Sequence, residues 1–289
     1  MSTCAAVVTH NRRALLAECL AALAAQDRPV DAVIVVDNAS TDGTAQWLAA
    51  EHPDVRVVRS EENLGGAGGF ALAVERAVAT GHEWVWMLDD DTVPRPDAHR
   101  RLLDAAAVSE RAGERPAVMA SRVEWDDGRP HPMNVPGPDA RRASRHPGLE
   151  PIRYASFVSI LVRREAVERH GLPLGDYFLW LDDVEFTGRL LRDEPGYLVP
   201  ASVAHHRTPD PYRPLERPQR FYYAVRNRLF MLRSPAWQPR ERYGWARNLV
   251  WETKRFLEHH DHGREAWTVV LRGLRDGLRR APARTWPAR

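Results

Sequence analysis

Hydrophobic positions along this chain alternate between two rhythms. Thr3–Thr9, Asp31–Asp37 and Val55–Arg59 are short, apolar and β-branched, and read as strands. Between them, Ala14–Gln26 and Thr44–Glu51 carry apolar residues at helical spacing. His10-Asn11-Arg12-Arg13 breaks the first strand, and Asn38–Gly43 is turn chemistry in which Thr41 or Asp42 is placed to cap the next helix. This alternation predicts an α/β fold whose mostly parallel sheet is covered by helices on both faces. Trp84-Val85-Trp86-Met87-Leu88 is apolar throughout and predicts a central buried strand. Beyond it the pattern predicts a helix started by Pro94 and Pro96 and running to about Ala112. Strands follow over Ala117–Val123, Tyr154–Val162 and Tyr197–Pro200, and short helices over Arg164–His170 and from the Asp182 region to about Arg192. Residues 126–151 are rich in Pro, Gly, Arg and His and have no period. So long a connection predicts a mobile loop over a site.

Chemistry gathers where these elements end. Asp89-Asp90-Asp91 closes the buried run, at the carboxyl edge of a parallel sheet, where open α/β folds bind ligands. Three adjacent acids repel one another unless something positive sits among them, which points to a divalent cation held for a phosphate. Asn63–Phe70 has four glycines in five residues and opens a helix. Glycine lets backbone approach a ligand closely, and a helix N-terminus favours anions. Asp176–Phe186 runs from aromatic residues into Asp182, Asp183 and Glu185. Helix capping explains part of that acidity, but carboxylates beside an apolar wall gain the raised pKa of a general base. The doublet His205-His206 follows the last strand and offers one metal ligand.

Composition adds an asymmetry. The 289 residues, 44% apolar, suit one α/β domain with a smaller appendage. Net charge is +2, yet from Arg217 onward 17 Lys and Arg face 6 Asp and Glu, leaving −9 on the residues before. An acidic body at 1–213 and a basic, aromatic-rich helical region at 214–289 are expected. Trp245, Leu249, Trp251, Phe256 and Leu257 predict an apolar stripe there, packed on the body or laid on an anionic membrane surface. Cys4 and Cys19 read as small buried residues rather than a disulfide. No apolar stretch approaches the ~20 residues of a membrane span, and the first residues lack the pattern of a signal peptide. A cytoplasmic protein, peripheral at the inner membrane face, is the expectation, with no nucleic-acid partner.

In this order, Thr9-His10-Asn11-Arg12, Val36–Thr44, Asn63–Phe70, Asp89-Asp90-Asp91, Trp180–Glu185 and His205 resemble the inverting family 2 glycosyltransferases of the Rossmann-like GT-A fold. The likeness covers roughly residues 3–235 and looks most like bacterial galactofuranosyltransferases of cell-wall polysaccharide synthesis, with rhamnosyltransferases sharing much of the pattern. It implies that Asp37 holds the nucleotide base with Thr9 and Arg12 nearby, and that Asn63, Gly65 and Gly66 line the donor. It implies Asp89 and Asp91 as metal ligands, Asp90 toward the sugar, and His205 as the third ligand, with His206 leaving the register open by one. Asp183 matches the catalytic base, and Trp180 and Asp182 match sugar or acceptor contacts. The implied cofactor is Mn²⁺ or Mg²⁺, with imidazole shifting preference toward Mn²⁺. The implied donor is UDP-galactofuranose, or alternatively dTDP-rhamnose, and the acceptor a hydroxyl of a glycan, glycolipid, lipid-linked glycan or small molecule. A nucleotidyltransferase also binds metal beside a glycine-rich loop, but here the first turn, Thr9–Arg13, has no glycine.

Overall fold

The computed structural model describes residues 1–125, 127–208 and 214–283. The chain begins with β1 (Thr3–Thr9), α1 (Arg13–Ala24), β2 (Ala32–Asp37), α2 (Thr44–Glu51), β3 (Arg56–Arg59), α3 (Gly65–Val78) and β4 (Trp84–Asp89). It continues through β5 (Thr92–Pro94), α4 (Ala98–Arg111), β6 (Val118–Glu124), β7 (Gly137–Pro138), β8 (Glu150–Tyr154), β9 (Ile160–Arg163), α5 (Arg164–His170), α6 (Asp182–Leu190) and β10 (Gly196–His206). Three helices follow: α7 (Pro218–Arg233), α8 (Pro239–His259) and α9 (Arg264–Arg279). Among the described residues the strands form one ten-stranded sheet in the order β3-β2-β1-β4-β9-β6-β10-β8-β7, with β5 added on β10.

β1, β2, β3 and β4 pair in parallel, as do β6 and β10. β9 is inserted antiparallel between β4 and β6. The period of two along each strand sorts side chains between two cores. Ala6, Val8, Ile34, Val36, Val85 and Met87 face α3, α5 and α6. Ala5, Val7, Val35, Trp84, Trp86 and Leu88 face α1, α2 and α4. Each fully buried aliphatic or aromatic side chain in these layers contributes ~1.5–3 kcal/mol, and together they hold the carboxyl ends of β1, β2 and β4 in register.

Several elements depart from the sequence expectation. The predicted strand over Tyr154–Val162 is two strands, β8 and β9, interrupted at 155–159. The helix expected to start at Pro94 starts at Ala98, because Thr92–Pro94 pairs with β10 instead. The last strand is 11 residues long rather than four, with an irregularity between Val199 and Val203. Of residues 126–151, expected as a mobile loop, the described 127–151 are packed: His131, Asn134, Asp139 and His146 are buried and β7 pairs with β8. Cys4 and Cys19 are buried and unpaired.

The three C-terminal helices pack onto the body and onto one another. Phe230, Met231, Ala236 and Trp237 share a core with Ala67, Leu174 and Tyr177. Phe221 stacks on Phe256 with ring centroids 3.8 Å apart, beneath Val270 of α9. The expected apolar stripe is mostly spent on this packing: Phe256 and Leu257 are buried and Trp245 and Leu249 half-buried, while Trp251 stays 54% exposed. Among the described residues no helix is long and apolar enough to cross a membrane.

Candidate active site

β4 delivers Asp89 to the carboxyl edge of the sheet, and the chain turns through Asp90 and Asp91 into β5. β5 pairs antiparallel with β10, placing His206 opposite Thr92 and next to Asp91. Asp89, Asp91 and His206 thereby bring one ligand atom each within 4.8 Å of one another. The ring of His206 puts Nε2 at 3.1 Å from Asp91 Oδ1. His205, expected from the resemblance as the third ligand, is not in this cluster. Consecutive strand residues point to opposite faces, and the His205 ring instead accepts a hydrogen bond from Arg95 Nε at 3.4 Å.

These atoms fit a divalent cation. Asp91 Oδ1 is buried and receives no hydrogen bond, although His206 Nε2 stands beside it. Neighbouring ligands of an octahedral ion bound at ~2.1 Å lie ~3 Å apart, which is the spacing of this pair. The other ring nitrogen, His206 Nδ1, meets Asn134 Oδ1 at 2.8 Å, and the Asn134 amide nitrogen donates to Ser156 Oγ at 2.9 Å. That chain assigns the proton to Nδ1 and turns the Nε2 lone pair toward the acids, the orientation a metal ligand needs. His131 packs against the same ring, centroids 4.7 Å apart. His131 and Asn134, within the stretch expected as a loop, thus support the histidine, a role the sequence did not reveal.

The three acids are electrostatically distinct. Burial, Asp91 and Asp90 push Asp89 up to about 7. Burial also raises Asp90, to about 6, against the pull of Arg12. Asp91 is held below the usual range, since His206 and Arg12 outweigh its burial. Asp90 accepts from Thr9 Oγ1 at 2.7 Å, and Arg12 Nη1 reaches both Asp90 (3.3 Å) and Asp91 (2.8 Å). Thr9 and Arg12 therefore brace the acids directly.

Two cavities meet at this point. The larger, about 760 Å³, is lined by Thr9, His10, Arg12, Asn38, Asn63, Gly65, Gly66, Asp89 and Asp90 on one side. Its other side is Gln219, Arg220, Tyr222 and Tyr223 of α7 and Thr268, Val269 and Arg272 of α9. The smaller, about 340 Å³, is lined by Asp89, Trp180, Asp182, Asp183, Asn134, His206 and Arg228, among others. Gly66, Phe70, Asp89 and Leu179 belong to both walls. Asp37 does not line either cavity. It is fully buried, accepts the Ser40 N–H at 2.9 Å and lies 3.8 Å from Arg59. Its neighbour Asn38 lines the cavity and ties β2 to the glycine stretch through Asn63 Oδ1, Gly65 O and the Leu64 N–H.

Asp182 and Asp183 begin α6, beneath a turn whose residues Phe178, Trp180 and Leu181 all have positive φ. Each such residue costs about 1–3 kcal/mol, a cost that persists only where surroundings impose it. Burial, then Asp183, push Asp182 well above the usual carboxylate range. Burial raises Asp183 to about 6, opposed by the Val184 N–H that its Oδ1 accepts at 2.7 Å. Glu185, one turn on, is spent on structure: it pairs with Arg189 at 3.1 Å and accepts from Ser234 Oγ at 2.8 Å.

Carboxylates and an imidazole converging on one point beside two cavities is an arrangement for handling a phosphate-bearing ligand, and sequence comparison decides its class. Residues 4–171 match the family model described as glycosyl transferase family 2. The chain belongs to that family. It is 32% identical over 272 residues to the galactofuranosyltransferase GlfT1 of Mycolicibacterium smegmatis, covering 84% of this chain and 88% of the relative. It is 30% identical over 239 residues to the N-acetylglucosaminyl-diphospho-decaprenol L-rhamnosyltransferase of Mycobacterium tuberculosis, covering 69% of this chain and 74% of that one. Among solved structures, S. aureus TarS 1-349 in complex with UDP superposes with TM-score 0.60 at 20% identity, over 86% of this chain and 71% of that chain. A second structure of S. aureus TarS gives TM-score 0.61 at 20% identity over 86% of this chain and 43% of that chain. Those likenesses show the GT-A type of fold. As a glycosyltransferase, the protein is not the nucleotidyltransferase that the acids and glycines alone also suggested.

Proposed function

We propose that this glycosyltransferase is an inverting, cation-dependent enzyme that uses a UDP-sugar, UDP-galactofuranose in preference, and transfers its sugar to a hydroxyl of a glycan or lipid-linked glycan. The observation that carries this reading is the place of Asp89, in the wall of both cavities and within ligand distance of Asp91 and His206. The larger cavity, with Arg12, Asn38 and Asn63, takes the nucleoside diphosphate. The smaller takes the transferred sugar and the acceptor hydroxyl, with Trp180 as an apolar platform. Asp89, Asp91 and His206 would hold Mn²⁺ or Mg²⁺, which when bound neutralises charge growing on the departing diphosphate.

Asp183 acts as the base. At a pKa of about 6 it is ionised at neutral pH yet more basic than an ordinary carboxylate. Asp182 beside it, whose burial favours the protonated form, contacts a sugar or acceptor oxygen. The acceptor oxygen attacks the anomeric carbon as its proton passes to Asp183. The bond from that carbon to the phosphate oxygen breaks, and the nucleoside diphosphate leaves with the electron pair. One displacement inverts the anomeric centre.

The rhamnosyltransferase relative supports dTDP-rhamnose as the second donor reading. A thermal-shift screen of both donors with Mn²⁺ separates them, since a ligand at 100 times its Kd stabilises by ~2.7 kcal/mol. Stabilisation by dTDP-rhamnose alone overturns the galactofuranose preference, and product anomers read by NMR test inversion. The basic helical region adds a membrane contact to this reading. Tyr243, Val250 and Trp251 of α8 and Trp267, Leu271 and Leu278 of α9 are exposed, and Arg247, Lys254 and Arg255 lie among them in sequence. Trp251→Glu with Trp267→Glu weakens sedimentation with vesicles containing phosphatidylglycerol; equal sedimentation rejects the contact.

A further inference from the structure

The turn before Asp182 is built from bulky residues in a backbone conformation they rarely adopt. Phe178, Trp180 and Leu181 have φ of 61°, 69° and 65°. Glycine would relieve the turn, but Phe178 and Leu179 wall the larger cavity, and Leu179, Trp180 and Leu181 wall the smaller. Something outside the turn must therefore hold it. Its carbonyls give the answer. Arg226 Nη2 donates to Asp176 O and Tyr177 O, both at 2.7 Å. Asn227 Nδ2 donates to Tyr177 O at 3.0 Å and to Leu179 O and Trp180 O at 2.8 Å. The Ala67 N–H of the glycine stretch takes Phe178 O at 3.2 Å. Every carbonyl from 176 to 180 has a donor: those of Asp176, Tyr177, Leu179 and Trp180 receive one from α7, with the Leu179 N–H also donating to Tyr177 O at 2.7 Å, and that of Phe178 receives one from the glycine stretch.

Asn227 is fully buried, and its orientation is fixed. Its Oδ1 accepts from Arg226 Nε at 2.9 Å, which commits the amide nitrogen to the turn. The guanidinium is in turn held over the rings of Tyr223 and Phe230, 4.9 and 5.2 Å from their centroids.

We propose that Asn227, oriented by Arg226, is a positioning residue of the transfer reaction: by gripping the strained turn it fixes where Asp183 stands in the smaller cavity. This rests on the reading of Asp183 as the base. Beside the side chains that α7 places in the two cavities, Asn227 thus reaches the reaction through the backbone of the turn.

The test is Asn227→Ala, compared with Arg233→Ala. Arg233 binds carbonyls of Gly277, Leu278 and Arg280, so its loss loosens helix packing without touching the turn. For each variant kcat, the Kd of UDP with Mn²⁺, the melting temperature and the pH profile of kcat/KM are measured. Asn227→Ala lowers kcat roughly 10–100-fold while UDP affinity stays within about threefold, because the Asn227 amide nitrogen donates to the carbonyls of the turn and to none of the polar side chains that line the larger cavity. The acid limb moves lower than in the parent as the loosened turn admits water to Asp183, whose pKa burial raises. Asp183 is faced by Asp182, by Tyr154 of β8, and by Arg228, His206 and Asp89 across the cavity, none of which the substitution removes. A kcat loss no larger than that of Arg233→Ala at equal loss of melting temperature, with the limb unmoved, overturns the proposal. If Asn227→Ala does not fold, Arg226→Lys, which frees the Asn227 amide, shows the same split at smaller size; unchanged kcat there overturns it. Asp183→Asn is run in parallel: full activity in it removes the base assignment itself, whereas its inactivity with an unaffected Asn227→Ala removes only the positioning role.

Discussion

Asp183 carries two opposing consequences of one environment. Burial that makes it a better base also makes the folded state hold its proton more tightly than the unfolded chain does. Its folded pKa of about 6 lies above the ordinary carboxylate value of 3.8. Between those values the folded state binds more protons, so stability falls as pH rises through that window. Asp183→Asn should lower turnover by ~10²–10⁴-fold. The same variant should gain ~1–3 kcal/mol at pH 8 and nothing below pH ~3.5, read by urea denaturation at the two pH values. A second residue-scale prediction concerns the histidine doublet. His206→Ala should abolish Mn²⁺ binding measured by calorimetry, while His205→Ala leaves it intact, since only His206 shares the cluster with Asp89 and Asp91. The acids were legible in the sequence because they stand at the ends of apolar runs. The choice between His205 and His206 was not, because it depends on which face of β10 turns inward, and that is set by pairing with β5.

At the scale of elements, the glycine stretch shows two different uses of one residue type. Gly65 has φ +69°, and a Cβ there would sit 2.1 Å from Phe178 O. Gly65→Ala should destabilise by at least ~1–3 kcal/mol and disturb the turn before Asp182. A Cβ on Gly66 meets nothing within 4 Å, yet Gly66 lines both cavities. Gly66→Ala should fold with unchanged stability and weaken donor binding, the first checked by denaturation and the second by UDP titration. The β-α-β alternation was readable from periodicity, as was the helical character of the C-terminal region. The insertion of β9 between β4 and β6 was not, since a four-residue apolar strand carries no sign of its partner. Arg226 and Asn227 were equally hidden. Polar residues within an amphipathic helix read as its solvent face, and only the tertiary structure shows them buried against a turn about 50 residues earlier.

Over the whole molecule, charge is divided so that an acidic body meets a basic helical region at the larger cavity. Arg12 comes from the body and Arg220 and Arg272 from α7 and α9. Burial lowers the Arg220 pKa, with further repulsion from Arg217 and Arg12, so an anion between these groups is favoured. Arg220→Ala and Arg272→Ala should each weaken UDP binding by about tenfold, equivalent to ~1.4 kcal/mol, with the loss shrinking at high salt. Equal affinity at low salt would leave these helices as packing alone. The charge asymmetry was plain in the sequence, but its target was not: the basic region faces the larger cavity as well as solvent.

The short antiparallel pairing of β5 with β10 has one more consequence. It sets Asp91 beside His206, ~115 residues apart along the chain. A cation shared by these two side chains is a reversible cross-link that closes most of the catalytic body into a loop. An ion held by both side chains would couple opening of the β10 end of the sheet to opening of β4 and β5. Mn²⁺ should therefore slow amide exchange at Ala204–His206 and at Asp89–Thr92 together, making cation supply a control on folding cooperativity as well as on turnover.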